Sequence, residues 1–219
     1  MKLRGRFVTF EGIEGAGKST QLAEAARFLA ARGIECEVTR EPGGTPVAET
    51  LRRLLLEPQP EALDATAELL LVFTARAVHV ANRIRPALER GAWVLCDRFT
   101  DATEAYQGAG RGLPAGQIRA LESIAQHGLR PDLTLLFDLP VERALARAAA
   151  RSTCSDRFES EERAFHERVR QGYLAILARE PGRLRRIDAL PGPREVSAQV
   201  EDALEAAVAD WRNGSADGR

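Results

Sequence analysis

The sequence predicts an α/β fold, a mainly parallel sheet with helices on both faces. Two observations carry that reading. Short β-rich apolar runs alternate along the chain with longer helical patterns, the signature of βαβ units. A glycine-rich loop also joins the first such run to the first helix. With 219 residues, 44% hydrophobic and 29% charged, the chain is long enough to bury a large core in one domain.

The elements follow in order. Phe7–Phe10 is a β-rich run, and the Ala-rich stretch Gln21–Ala31 is helical. Glu35–Thr39 reads as a second strand. Ala65–Glu89 has helical periodicity, kinked or ended near Pro86, where proline removes a helical N–H. Trp93–Cys96 and Leu133–Leu139 are the third and fourth strands, and Glu142–Arg151 and Glu161–Arg179 are helices. Leu184–Ile187 is a weaker fifth strand before a last amphipathic helix, Glu195–Trp211. One domain spans 1–212, with a polar tail at 213–219.

Composition excludes several classes. The 31 basic and 32 acidic side chains leave a net charge of -1, without the dominant basic field of a nucleic-acid binder. No apolar run approaches the ~20 residues of a membrane helix, and no signal-peptide pattern opens the chain. Cys36, Cys96 and Cys154 form no CxxC pair and read as reduced thiols, so a cytoplasmic location is expected. His79, His127 and His166 are dispersed without metal-ligand spacing and read as surface or packing residues. Of the 31 cations, 29 are Arg; only Lys2 and Lys18 are Lys.

Lys18 falls in the strongest motif. Gly12-Ile13-Glu14-Gly15-Ala16-Gly17-Lys18-Ser19 fits G-x-x-x-x-G-K-[ST], with a β run before it and a helix after it. The glycines let backbone N–H groups curl around a phosphate chain, and the helix N-terminus adds positive potential. Lys18 supplies a compact charge to the β- and γ-phosphates, and the Ser19 hydroxyl suits Mg²⁺. A GTPase switch would carry N-K-x-D to read guanine; Asn82 and Asn213 are the only asparagines, and neither precedes Lys.

Other segments suggest a second substrate. Arg40-Glu41-Pro42-Gly43-Gly44-Thr45 follows the second strand, at the sheet end that lines a ligand crevice, where an Arg can hold phosphate bidentately. Asp97-Arg98 follows the third strand: the carboxylate suits the water shell of Mg²⁺ and the Arg suits a phosphate. Ala105–Arg111 then supplies an aromatic, an amide and a glycine-rich loop, able to pack against a base or sugar.

With these segments together, the sequence resembles the bacterial thymidylate kinases of the P-loop nucleoside-monophosphate kinase superfamily. The resemblance rests on FEGIEGAGKST at 10–20, TREPGGT at 39–45, the stretch Phe73–Arg76, CDRF at 96–99, AYQGAGRG at 105–112 and DRFE at 156–159, which lie in the family's order over nearly the whole chain. It implies a P-loop kinase fold with a five-stranded parallel sheet, a mobile helical lid at about 147–158, a homodimer, and transfer of the γ-phosphoryl of ATP to dTMP with Mg²⁺.

Position by position, the resemblance implies that Gly12 to Thr20 hold ATP, with Ser19 and Asp97 toward the metal. Glu14 lies near the dTMP sugar and the metal. Arg40 and Arg98 would grip the dTMP phosphate, with Glu41 and Pro42 supporting that loop. Arg76 would reach the thymine O4 edge, Thr103 and Gln107 would approach the base, and Tyr106 would pack on deoxyribose. Lys18, Glu14, Arg98 and Arg151 form the expected catalytic set. Arg143, Arg147 and Arg151 share a helix face at i, i+4, i+8, and Arg147, Arg151 or Arg157 would close on the ATP phosphates as an internal arginine finger. This chain departs from the family in three places. Ser152-Thr153-Cys154-Ser155 replaces a lid Gly. Val72 stands where a Phe often stacks on thymine, leaving Phe73 as the candidate. Ala102 replaces a Ser.

Overall fold

The computed structural model describes residues 5–151, 157–158 and 161–214, apart from the side chains of Arg151 and 212–214. The sheet has five strands: β1 (Phe7–Glu11), β2 (Cys36–Arg40), β3 (Trp93–Asp97), β4 (Leu133–Asp138) and β5 (Leu184–Asp188). Their order is β2-β3-β1-β4-β5 and every pairing is parallel. β1 and β4 are buried at every position, as inner strands covered on both faces must be, whereas the edge strands β2 and β5 alternate with exposed residues. The expected sheet is therefore present, with each strand within about a residue or two of its sequence-read bounds.

Helices cover both faces: α1 (Lys18–Ala30), α2 (Pro46–Leu56), α3 (Ala65–His79), α4 (Arg85–Glu89), α5 (Thr100–Thr103), α6 (Ala115–Gln126), α7 (Val141–Arg151), α8 (Arg163–Arg179) and α9 (Pro193–Gly214). The main core lies where β1 and β4 meet α1, α8 and α9, through Val8, Phe10, Leu29, Leu135, Tyr173 and Leu204. Trp211 holds the end of α9 by an edge contact to Trp93, with the Arg6 guanidinium over its ring. No helix among the described residues is long and apolar enough to cross a membrane.

Three differences from the sequence reading bear on the site. The helical stretch 65–89 is not uniform: a π-helical segment, Val80–Ile84, lies between α3 and α4, and Pro86 follows it in the first turn of α4. Ala105–Arg111 is mostly helix rather than loop, because α5 continues into a π-helical segment, Glu104–Gly110. His79 and His166 are wholly buried, whereas His127 is exposed and ends α6 with φ 49°.

Candidate active site

The carboxyl ends of β1, β2 and β3 come together because their registers pair Phe10 and Arg40 with Asp97. The phosphate loop, Arg40 and Asp97-Arg98 all leave the sheet at this edge. In the loop after β1, Gly12, Gly15 and Gly17 have φ of 135°, 74° and 87°, a region that residues with a Cβ rarely enter. At Gly15 the need is also spatial: a Cβ there would lie 2.0 Å from the Ala144 carbonyl oxygen of α7. Gly17 caps α1 without a side-chain bond, so the first N–H groups of the helix remain open to an anion.

Lys18 is buried, and its Nζ donates to the carbonyls of Gly12 (3.0 Å) and Ile13 (2.9 Å), which fold the side chain back over the loop. Burial, reinforced by the nearby Arg98, lowers its pKa to about 8. The Ser19 hydroxyl donates to Asp97 Oδ2 at 3.0 Å, and Asp97 Oδ1 is buried with no hydrogen-bond partner among the described residues. A hydroxyl and an unsatisfied carboxylate oxygen side by side suit Mg²⁺, which takes hard oxygen ligands and keeps several waters. No described group of three or more His, Cys, Asp or Glu could hold a metal alone.

Arg98 is the centre of the next layer. Its φ of 73° is strained for a residue with a side chain, which at a ligand-facing position is a marker of function. Its Nη2 donates to Glu14 Oε1 (2.8 Å) and Tyr106 Oη (3.0 Å), and its Nη1 donates to Tyr173 Oη (3.1 Å). The Tyr106 hydroxyl also donates to Glu14. Burial alone would raise the Glu14 pKa, but Arg98, Lys18 and Tyr106 outweigh it and hold the carboxyl below its usual range. Behind them, Glu11 accepts from the Phe99 N–H (2.6 Å) and the Tyr173 hydroxyl (2.8 Å). Burial, aided by Asp101, pushes Glu11 up to about 8.

Beside β2 lies a buried polar chain. Glu41 binds Arg76 Nε at 2.6 Å and His79 Nδ1 at 2.9 Å, and His79 Nε2 bonds Thr39. Burial would raise Glu41, but the Arg76 guanidinium and His79 bring it below the usual carboxylate range. Arg76 Nη2 donates to Phe99 O and Thr103 Oγ1, both at 3.0 Å. Its Nη1 is buried with no partner among the described residues, a charged donor left open beside the cavity that Arg76 lines.

That cavity is lined by Glu14, Lys18, Ser19, Glu41, Pro42, Arg52, Val72, Arg76, Asp97, Arg98, Thr103, Tyr106, Gln107 and Phe158, among others. It brings together most of the residues read from the sequence. A second cavity lies between the phosphate loop and the β5–α9 connection, lined by Ala16, Gln21, Arg147 and residues 189–193. Both cavities are lined by Gly15, Gly17 and Thr20, so they meet over the phosphate loop.

Several expected residues lie elsewhere. Arg40 pairs with Glu49 (3.0 Å), is half exposed and does not line the first cavity. Arg52 of α2 lines it instead, donating to Pro42 O at 2.8 Å; the sequence reading assigned no helix to Pro46–Leu56 and missed it. Phe73 packs with Leu69, Ile118 and Ala125 in a small core outside the cavity. Val72 and Arg76, four residues apart on α3, face the cavity, and Phe73 is turned about 100° from Val72. Arg147 donates to Ala189 O (2.7 Å) and Leu190 O (2.9 Å) at the second cavity. Arg157, expected on the ATP phosphates, lines neither cavity: it donates to Leu55 O (3.0 Å) and to the buried Glu68 Oε2 (2.5 Å). The side chain of Arg151 and residues Cys154 and Asp156 lie outside the described residues. Cys96 is buried in β3, as a small core residue.

A P-loop between two cavities, with a cation cluster facing the junction, defines a phosphotransferase for two phosphate-bearing substrates. Residues 10–200 match the thymidylate kinase family model. The chain is 57% identical to a thymidylate kinase of Chromohalobacter salexigens, with 94% of this chain and 98% of the relative covered. It is 53% identical to one of Alkalilimnicola ehrlichii, covering 97% and 98%. A crystal structure of thymidylate kinase from Ehrlichia chaffeensis superposes with a TM-score of 0.74 at 33% identity, covering 92% of this chain and 99% of the other. The chain belongs to the thymidylate kinase family.

Proposed function

We infer that this chain carries out the family reaction, phosphorylating dTMP to dTDP with ATP. The observation that carries the reading is the pair of cavities joined at Gly15, Gly17 and Thr20, which lets two phosphate chains meet end to end over the loop. ATP takes the cavity beside Arg147 and the β5–α9 connection. The monophosphate takes the one bounded by Arg76, Arg98, Tyr106 and Gln107.

The acceptor nucleophile is an oxygen of an already ionised phosphate, so no strong general base is needed. Alignment and charge neutralisation do the chemistry. Lys18 exchanges the Gly12 and Ile13 carbonyls for β- and γ-phosphate oxygens. Arg98 exchanges Glu14 for the acceptor phosphate, its backbone held by the Phe10 carbonyl. Arg76 Nη1 donates to thymine O4, Gln107 reads the neighbouring edge, and the Tyr106 ring packs on deoxyribose. Ser19 and Asp97 would hold Mg²⁺, which would supply charge neutralisation at the phosphates. The stretch 147–158 acts as the lid, and the protein works as a cytoplasmic homodimer without nucleic acid as partner. A panel of dTMP, dUMP, UMP, CMP, AMP and thymidine as acceptors with ATP tests the assignment: dTMP is expected to be preferred, and clear preference for another acceptor overturns it.

A further inference from the structure

Glu68 of α3 is a buried carboxylate outside the catalytic set, with side-chain exposure of 1%. Four donors converge on it. Gln107 Nε2 donates to Oε1 at 2.7 Å, Arg157 Nη2 to Oε2 at 2.5 Å, and Arg111 reaches Oε1 through Nε (3.4 Å) and Oε2 through Nη2 (3.2 Å). Arg111 is itself held by Glu161. The carboxylate is thus fixed from three sides by two guanidiniums and an amide.

Its relation to Gln107 has a chemical consequence. A carboxylate only accepts hydrogen bonds, whereas a primary amide has a donor end and an acceptor end of nearly the same shape. The amide atom 2.7 Å from Glu68 must therefore be the NH₂. That leaves the amide oxygen as the end available to the cavity that Gln107 lines. The open Arg76 Nη1 on the same cavity is a donor. Together they present one donor and one acceptor in fixed order. Thymine has the complementary edge, an O4 acceptor beside an N3–H donor. Cytosine has the reverse, an amino donor beside an N3 acceptor, and would meet donor with donor and acceptor with acceptor.

We propose that Glu68 is the positioning residue that sets pyrimidine selectivity, by locking the Gln107 amide with its oxygen toward the base. It does not touch the base. It removes the flipped state in which Gln107 would offer NH₂ to cytosine N3. The pairing to Arg157 and Arg111 holds the carboxylate still enough for that. The proposal rests on the reading of Gln107 as a base contact.

The test is the ratio of kcat/KM for dTMP to that for dCMP, measured in wild type and three variants. In Glu68→Gln the new amide can either donate or accept, so Gln107 is free to flip. The ratio is expected to fall at least about tenfold, because a site built on fixed polar groups discriminates chiefly by the cost of mismatching them. Glu68→Asp keeps the charge but draws the carboxylate back by one methylene from Gln107 and the guanidiniums alike, and is expected to move the ratio in the same direction, with thermal melting confirming that the chain retains its fold. A purely structural role for Glu68 would lower both efficiencies together and leave the ratio unmoved, which overturns the proposal. Gln107→Leu separates the two levels. If it lowers the ratio while the Glu68 variants do not, Gln107 reads the base without help from Glu68. If it leaves the ratio at the wild-type value, the base reading itself fails.

Discussion

Replacing Arg98 by Lys isolates what the guanidinium fork contributes. Both residues carry one charge and both must accept the φ of 73°, so backbone strain is common to the two proteins. The fork reaches Glu14 at 2.8 Å, Tyr106 at 3.0 Å and Tyr173 at 3.1 Å, from two nitrogens. An ammonium on a flexible stem keeps a charge near Glu14 but cannot span the same points. Alanine would be a poorer test. Arg98 and Glu14 are only 16% and 13% exposed, and stranding a mostly buried carboxylate would confound stability with binding. In the complex, Lys forfeits one charge-assisted contact of the bidentate grip on the acceptor phosphate, worth about 1.5–3 kcal/mol. That corresponds to a loss of about 10- to 150-fold in kcat/KM for dTMP. The assay is steady-state turnover with dTMP varied at saturating ATP, then ATP varied at saturating dTMP, with thermal melting alongside. The KM for ATP is expected to stay within about threefold of wild type. An unchanged dTMP efficiency, or a loss confined to ATP, refutes the assignment of Arg98 to the acceptor phosphate.

Other substitutions probe separate parts of the account. Arg147→Ala is expected to raise the KM for ATP about tenfold and leave that for dTMP nearly unchanged; the reverse pattern would move Arg147 out of the donor cavity. Gly15→Ala forces a Cβ to within 2.0 Å of the Ala144 carbonyl at a φ of 74°, so it must displace α7 or the loop. A loss of at least about 2 kcal/mol is expected, read as a melting point lower by roughly 4–8 °C for a domain of this size. Glu11 has its folded pKa raised to about 8 by burial and Asp101, so its contribution to stability is full below its ordinary value of 4.5 and is lost as pH rises through 8. Glu11→Gln keeps an acceptor for the Phe99 N–H, removes that titration and is expected to gain on wild type by a few kcal/mol between pH 4.5 and 8, followed by denaturant unfolding; a constant difference across that window would contradict the buried neutral carboxyl.

Periodicity and one motif made most of this fold readable. The inner strands β1 and β4 could be placed because strands buried on both faces are nearly continuous apolar runs, the edge strands β2 and β5 by their place between helical patterns, and the phosphate loop because glycine at 12, 15 and 17 is forced by positive φ. What escaped was helix: α2 (Pro46–Leu56), α6 (Ala115–Gln126) and the helical run through Ala105–Arg111. Thr45-Pro46 is a helix start, with the Thr45 hydroxyl accepting from Ala48 N and proline in the first turn. That signal is present, but the reading of 40–45 as a phosphate-binding loop stops at Thr45, and Arg52 is lost with the helix that follows. Ala105–Arg111 looked like a loop through its glycines, yet packing against α8 through Phe165 and Tyr173 keeps it helical with a π-helical register. Side-chain destinations were the least legible. Nothing local tells that Arg40 turns to Glu49, that Phe73 joins a core one position away from Val72, or that a Glu at 68 will gather Gln107, Arg111 and Arg157. The Arg40 pairing crosses the unassigned helix start at Pro46, and the Glu68 contacts join residues 39 to 89 positions apart.

The most direct test of the central claim follows the γ-phosphoryl group itself. With γ-labelled ATP, Mg²⁺ and dTMP, the account predicts label in dTDP in one-to-one proportion with ADP, and none above background with Lys18→Ala, whose fold is checked by circular dichroism. Label released as inorganic phosphate at a rate indifferent to dTMP, or equal transfer by Lys18→Ala, would contradict it.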